Sequence, residues 1–272
     1  MQKNGKRIDT KNLAEDRKNI LSESSDFFVR EAYKTLRTNC IFALAGHEGC
    51  KVLTLTSSLQ GEGKSITALN LAISFAQAEN RVVLLDCDLR RPKIARLLRK
   101  SSSVGLSNLL LDLSLIDDAI VQSGIERLDV ILSGDIPPNP SELLGSARMS
   151  ALLEQLRERY DYVILDTSPV NMVTDSVVLA PKSDGVLFVV RANRSERGSV
   201  VRAVEQLQYA NTKILGFVLD DVVAHGSSYR YKKYRKYSGY GGYSGYGYGY
   251  GYGYGSAYVA SEKEDSAEAP QQ

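Results

Sequence analysis

Val52-Leu53-Thr54-Leu55-Thr56-Ser57-Ser58-Leu59-Gln60-Gly61-Glu62-Gly63-Lys64-Ser65 is the stretch on which the reading of this chain turns. Its first five residues alternate leucine and valine with threonine, the composition of a strand covered on both faces. Gly61 and Gly63 then break the run, and Lys64-Ser65 leads into an apolar segment, 65–79, with helical character. Strand, glycine-rich loop, Lys-Ser and helix in this order make a phosphate-binding loop. Backbone N–H groups and the positive end of the helix cradle phosphate oxygens. Lys64 would reach the β- and γ-phosphates, and the Ser65 hydroxyl would meet Mg²⁺. A tight turn alone has no need of Lys-Ser. The residues expected around the nucleotide are therefore Gly61, Glu62, Gly63, Lys64, Ser65 and Ile66, although the strict pattern has glycine where this chain has Ser58.

Outward from the loop, short runs rich in Val, Ile and Leu recur at 82–85, 128–132, 162–165, 186–190 and 214–219. Helical stretches separate them at 92–100, 147–159 and 197–209, and another begins at Asp26, where Phe28, Ala32, Leu36 and Cys40 repeat every four residues. Strands alternating with helices predict a mostly parallel, doubly wound α/β sheet. Ligands in such sheets lie beyond the carboxyl ends of the strands, so the turn-rich segment 133–140 is expected to overhang the site. Two strands end in acid. One runs into Asp86-Cys87-Asp88-Leu89-Arg90-Arg91-Pro92 and another into Asp166-Thr167-Ser168-Pro169. Carboxylates there can hold a metal or accept a substrate proton. Strand alternation would turn Asp86 and Asp88 to one face. The plainer reading is that these aspartates cap the helices that follow.

The chain has 272 residues, 43% hydrophobic and 24% charged, with a formal net charge of +2. That length carries one domain of about 200 residues with flanks, expected as an arm over 1–25, a domain over 26–225 and a tail over 226–272. Near-neutral charge argues against wholesale nucleic-acid binding. Cys40, Cys50 and Cys87 lack CxxC spacing, which fits packing in a reducing compartment. No apolar run reaches the roughly 18 residues of a membrane span.

The tail is the second unusual feature. Twelve of the sixteen tyrosines lie in the last forty-four residues, first among arginine and lysine, then in glycine and serine. Glycine without apolar bulk cannot repay ordering entropy, so this segment is expected to be disordered. Composition alone leaves three readings open: phosphoacceptors, a self-associating low-complexity segment, or a platform stacking on single-stranded nucleic acid.

An apolar run ending Asp-x-Asp-x-Arg after a phosphate-binding loop, then an apolar run ending Asp-Thr-x-Pro, resembles the bacterial tyrosine kinases (BY-kinases). These are P-loop autokinases of the deviant Walker-type ATPase superfamily that regulate capsule and exopolysaccharide synthesis. The resemblance covers roughly 26–222, and the tyrosine cluster extends it to the C-terminus. It implies that Lys64 and Ser65 bind ATP and Mg²⁺, that Ser65, Asp88 and Asp166 hold the metal, and that Asp86 is the base for the incoming tyrosine hydroxyl. Lys64, Asp86 and Asp88 are then the catalytic set. Glu31, Lys34 and Arg37 resemble the family's subunit-interface motif, Glu-x-x-Arg-x-x-Arg, with lysine in place of the first arginine. Asp220 stands where an asparagine near the adenine is usual, Gln60 replaces a loop proline, and Ser168 replaces the first proline after Asp-Thr. The implied phosphoacceptors are Tyr237, Tyr240, Tyr243, Tyr246, Tyr248, Tyr250, Tyr252, Tyr254 and Tyr258. The implied partners are a second copy in a ring, a membrane-embedded adaptor of the polysaccharide co-polymerase type and a cognate tyrosine phosphatase, with no nucleic acid. The implied location is cytoplasmic, at the inner face of the membrane. The competing classes are a MinD/ParA-like ATPase switch, which would carry lysine at the position of Leu59, and a non-catalytic ATP-binding scaffold with a self-associating tail.

Overall fold

Seven strands form one sheet in a computed structural model that describes residues 16–222. They are β1 (Lys51–Ser57), β2 (Val82–Asp86), β3 (Ile120–Ile125), β4 (Leu128–Ile131), β5 (Tyr162–Asp166), β6 (Gly185–Arg191) and β7 (Ile214–Asp220). Their order across the sheet is β3-β4-β2-β5-β1-β6-β7. Every pairing is parallel except that of β3 with β4. The expected α/β sheet is therefore present. β2 and β5 are buried along their whole length, and β1 along all but its first residue. That is why their sequences are continuously apolar instead of alternating.

Helices cover both faces. On one side lie α1 (Phe27–Ala43) and α2 (Lys64–Ala76), whose Leu69, Ile73 and Phe75 pack on Leu53, Leu84 and Ile164. Every residue of α2 but Ile66 is buried, because α1 lies over its outer side through Cys40, Leu36 and Tyr33. Five shorter or peripheral helices follow: α3 (Ile94–Leu98), α4 (Leu106–Leu109), α5 (Ile116–Ala119), α6 (Pro140–Gly145) and α7 (Ala147–Arg159). Met149, Leu152 and Leu156 of α7 fill the opposite face against Val52, Val83 and Val163. α8 (Asp175–Leu179) and α9 (Arg197–Tyr209) complete the chain, α9 burying Ala203 and Leu207 beside Val186 and Phe188.

Two expectations change. The arm predicted over 1–25 is held to the domain in its described part. Leu21 is buried, its N–H donates to Asn70 Oδ1 at 2.8 Å, and Asn70 Nδ2 donates to the Asn19 carbonyl at 2.8 Å. No residue of the segment 133–140 lines the cavity described below. Gly134 instead packs against Gly105, where a Cβ on Gly105 would lie 2.1 Å from the Gly134 nitrogen. The tail and its tyrosines lie outside the described residues. Among the described residues no helix is long and apolar enough to cross a membrane, and all three cysteines are buried and free.

Candidate active site

The carboxyl ends of β1, β2 and β5 meet because the parallel register makes them level. Asp86 lies directly opposite Asp166 across β2–β5, and Leu55 opposite Asp166 across β1–β5. Sheet register alone therefore sets the two acidic strand ends side by side at the mouth of the phosphate-binding loop.

The loop itself is braced from within. Gly61 and Gly63 have φ of +85° and +89°, a left-handed conformation that side chains resist. Gly63 is doubly required, since an added Cβ would lie 2.2 Å from Asp220 Oδ2. Glu62, only 2% exposed, does not face the nucleotide space with its side chain. Its Oε atoms accept from Ser58 Oγ at 2.8 and 2.9 Å, from Leu59 N at 2.7 Å and from Ser195 Oγ. This explains the serine at position 58: its hydroxyl helps to satisfy a buried carboxylate that glycine would leave short of a donor. Gly63→Ala is expected to cost about 1–2 kcal/mol of stability for the left-handed residue alone, with a measurable drop in melting temperature and weaker nucleotide binding in a fluorescence titration.

Lys64 is buried, and its Nζ lies 3.0 Å from Asp88 Oδ2 and 3.5 Å from Asp166 Oδ1. Burial would lower its proton affinity, but the charges of Asp166 and Asp88 win and hold it raised. Burial likewise acts to raise Asp88, yet the Lys64 charge and hydrogen bond, helped by Arg91 N and Ser168, keep it below the usual carboxylate range. Asp166 is fully buried and its pKa is raised, first by desolvation, with Lys64 and the nearby Ser65 hydroxyl working the other way. Asp86 is fully buried too. Desolvation and then the neighbouring Asp166 push it up to about 8.

Asp86 serves as a cap from a neighbouring element. Its Oδ2 accepts from Lys93 N at 3.0 Å and Ile94 N at 2.9 Å, holding the start of α3. The same bonds explain why the helix expected from residue 92 begins at Ile94. β2 ends at Asp86, so strand alternation does not carry on to Asp88 and the predicted common face is not found. Asp86 leans on α3 while Asp88 turns to Lys64.

Asp86 Oδ1 and Asp166 Oδ2 are buried with no hydrogen-bond partner among the described residues. Buried carboxylate oxygens without donors are costly unless a cation or proton meets them. Among the described residues no group of three or more His, Cys, Asp or Glu side chains forms a ready cation site. The donor set is one serine hydroxyl and carboxylate oxygens, which suits Mg²⁺ completed by phosphate oxygens and water better than an all-protein cage.

A cavity of about 490 Å³ opens on Lys64, Ser65 and Asp88. Gly61, Gly63, Lys64, Ser65, Ile66 and Asp88 line it as expected, whereas Glu62, Asp220, Asp86 and Asp166 do not, the last two being fully buried. Asp220 touches Gly63 from behind instead, half-buried, with its pKa raised by burial. Arg90, Arg91, Arg191 and Arg194 also line the cavity, and none was singled out from the sequence as a site residue. The signal available for Arg191 and Arg194 was their place at and just past the end of β6, Arg191 being its last residue, next to β1 in the sheet. Gln60 accepts from Arg91 Nη1 at 2.7 Å, a contact the usual proline cannot make.

On α1, Glu31 and Lys34 pair with each other at 2.7 Å on an exposed face. Arg37 Nη1 turns inward onto the Ser74 carbonyl of α2. Arg37 therefore braces α1 on its own domain in this conformation.

The AAA domain family matches residues 50–215. Tyrosine-protein kinase YwqD of Bacillus subtilis strain 168 is 40% identical over 190 residues, covering 70% of this chain and 80% of that protein. The chain belongs to the bacterial tyrosine kinases. Tyrosine-protein kinase CpsD of Streptococcus agalactiae serotype Ia is 35% identical over 202 residues, 74% of this kinase and 86% of CpsD. Among solved structures, the kinase domain of the Escherichia coli tyrosine kinase ETK superposes with a TM-score of 0.70 at 32% identity, covering 82% of this kinase and 80% of that chain. The septum-site-determining protein MinD of Pyrococcus horikoshii, complexed with Mg-ADP, shares the fold at 19% identity and a TM-score of 0.54. The kinase thus has a P-loop nucleotide site on a sheet common to both groups, and its sequence sides with the kinases.

Proposed function

We propose that this kinase uses Mg-ATP to phosphorylate the tyrosine cluster of its own C-terminal tail, one copy acting on the tail of another in a ring. In this way it regulates capsular or exopolysaccharide synthesis and export. The observation that carries the reading is Lys64 set between Asp88 and Asp166, with the proton-affine Asp86 beside Asp166. Lys64 turns from the carboxylates to phosphate oxygens when nucleotide enters. Ser65, Asp88 and Asp166 would hold Mg²⁺, which would offset charge on the phosphates. Asp86 accepts the tyrosine proton through the oxygen that has no partner, and positioning supplies much of the remaining catalysis.

The ring would use the exposed Glu31 and Lys34, with Arg37 exchanging its internal contact for an intersubunit one. A membrane-embedded adaptor that completes the site is supported by two comparisons. Tyrosine-protein kinase ptk of Acinetobacter johnsonii matches this kinase over only 30% of its own length, leaving room for further segments. The chimerical protein CapA2B2 superposes with a TM-score of 0.68 at 36% identity over 72% of this chain. The proposed location is the cytoplasmic face of the membrane, with a cognate phosphatase resetting the tail. Each phosphate adds roughly −1.5 to −2 charges, enough for several to drive tails and subunits apart.

The test is mass spectrometry of tryptic peptide 237–263 from protein purified out of its own cells, wild type beside Lys64→Met. That peptide carries nine of the twelve tail tyrosines. A ladder of phosphorylated forms that disappears in the variant is expected. An unmodified peptide in both, while polysaccharide is being made, would favour the ATPase switch or the scaffold.

A further inference from the structure

We propose that Asp175 is a positioning residue for Asp88, acting through Ser168 and Arg90 to keep Asp88 aimed at the metal position after Lys64 has left it. This rests on the reading of Asp88 as a metal-holding residue given above.

Asp175 opens α8 and is fully buried, although nothing in its local sequence marks it as functional. Its carboxylate gathers three segments. Arg90, just past β2, donates through Nε at 2.8 Å to Oδ2 and through Nη2 at 3.2 Å to Oδ1. Ser141, at the start of α6, donates to Oδ1 at 2.5 Å. Ser168, just past β5, has its hydroxyl 3.2 Å from Asp175 Oδ2 and also 3.2 Å from Asp88 Oδ1. Ser168 is buried, though with Asp88 it lines the cavity.

A serine hydroxyl carries one proton, and here two carboxylates flank it. Asp175 already has the two-pronged Arg90 bond and Ser141, so it has little need of that proton. Asp88 has Lys64 on Oδ2, and on Oδ1 only Arg91 N at 3.1 Å besides Ser168. When Lys64 turns to phosphate, Asp88 loses its strongest partner. The Ser168 proton then matters most at Asp88 Oδ1, where with Arg91 N it fixes the carboxylate plane and leaves Oδ2 for a cation. Asp175 enforces this arrangement. Its carboxylate holds the Arg90 fork, two residues from Asp88, and because Arg90 and Ser141 already satisfy both its oxygens it competes only weakly for the Ser168 proton. The usual proline at position 168 could make neither contact. Outer partners of this kind typically change metal affinity by about 10–100-fold when removed.

The experiment titrates Mg²⁺ into the full chain with fluorescent ADP and reads half-saturation, nucleotide affinity without Mg²⁺, and melting temperature. Ser168→Ala, Asp175→Asn, their double variant and Asp88→Asn are compared with wild type. Ser168→Ala and Asp175→Asn are expected to raise the half-saturating Mg²⁺ concentration about tenfold, with Mg²⁺-free ADP affinity within about twofold. The double variant should be no worse than the poorer single, because both act along one route. An unchanged half-saturation in Ser168→Ala, with or without a folded Asp175→Asn, overturns the proposal, as does simple additivity in the double variant. If Asp88→Asn itself leaves the Mg²⁺ dependence intact, the metal-holding reading of Asp88 fails instead.

Discussion

Asp86→Asn is expected to lower tail phosphorylation by about 10²–10⁴-fold, the range for a lost general base, while making the ligand-free protein more heat-resistant. The asparagine oxygen still accepts from Lys93 N and Ile94 N, so the start of α3 keeps its cap. What disappears is a buried carboxylate beside Asp166. The sign follows from linkage. The folded-state pKa of Asp86 is raised to about 8, against roughly 3.9 in an unfolded chain. Stability from the protonated form is therefore complete below the unfolded value and is lost as pH rises through the folded one. In protein freed of metal and nucleotide, the melting-temperature advantage of Asp86→Asn over wild type should grow from about pH 5 to about pH 8 and then level off. Mg²⁺ with nucleotide should narrow the gap, because a divalent cation nearby favours the ionised carboxylate. A scanning-calorimetry series at several pH values checks the stability half, and a phosphotyrosine assay the catalytic half. A variant less stable than wild type at pH 8 would mean that Asp86 is a structural cap alone.

Glu62→Ala is expected to be severe in both stability and nucleotide binding, although the Glu62 side chain does not line the cavity. Removing it strands Ser58 Oγ in a buried setting, and Leu59 N and Ser195 Oγ in a part-buried one. Each orphaned buried group costs about 1–3 kcal/mol. Some relaxation is certain, so a loss of about 2–4 kcal/mol is expected. For a domain of this size that is a melting-temperature drop on the order of 5–15 °C. The loop backbone, no longer tied to the segment after β6, would present its N–H groups out of line, and ATP affinity should fall by about 100-fold or more. Glu62→Gln should recover part of the loss, since its amide oxygen can still accept from Leu59 N and Ser58 Oγ. Calorimetry and nucleotide titration of the two variants decide it. Full binding by a folded Glu62→Ala protein would show that the glycines alone set the loop.

Much of this was legible in the chain. Helices α7 and α9 begin and end where the apolar spacing placed them, because each packs one periodic face on the sheet; α7 is also capped locally, Ser146 accepting from Met149 N, whereas Glu196 before α9 makes no side-chain cap. The six parallel strands were visible as apolar runs, five of them because both faces are largely covered, while β7 is an apolar edge strand with Phe217 and Leu219 exposed. β3 was not. It is a half-buried edge strand interrupted by Gly124 at φ +92°, turning back through Arg127 at φ +61°, and its polar Gln122 and Ser123 hide the pattern. The start of α3 was placed too early, since its first N–H groups are held by Asp86 from another element and not by a local cap.

By itself the sequence determined the loop chemistry, the acidic strand ends and the α/β alternation. These depend on residue type and on spacing along one strand, loop or helix. Tertiary structure alone decided which carboxylate meets which donor. Register set Asp86 against Asp166, and packing between the start of α8 and two loops brought Asp175 to Ser168 and Arg90. A bend after β2 sent Asp86 to α3 and Asp88 to Lys64, while Glu62 was drawn from the nucleotide side to Ser195 of a loop more than a hundred residues on. Hydrogen-bond partners so distant in sequence leave no periodicity to read, because their pairing is fixed only when the sheet closes and water is excluded from between them.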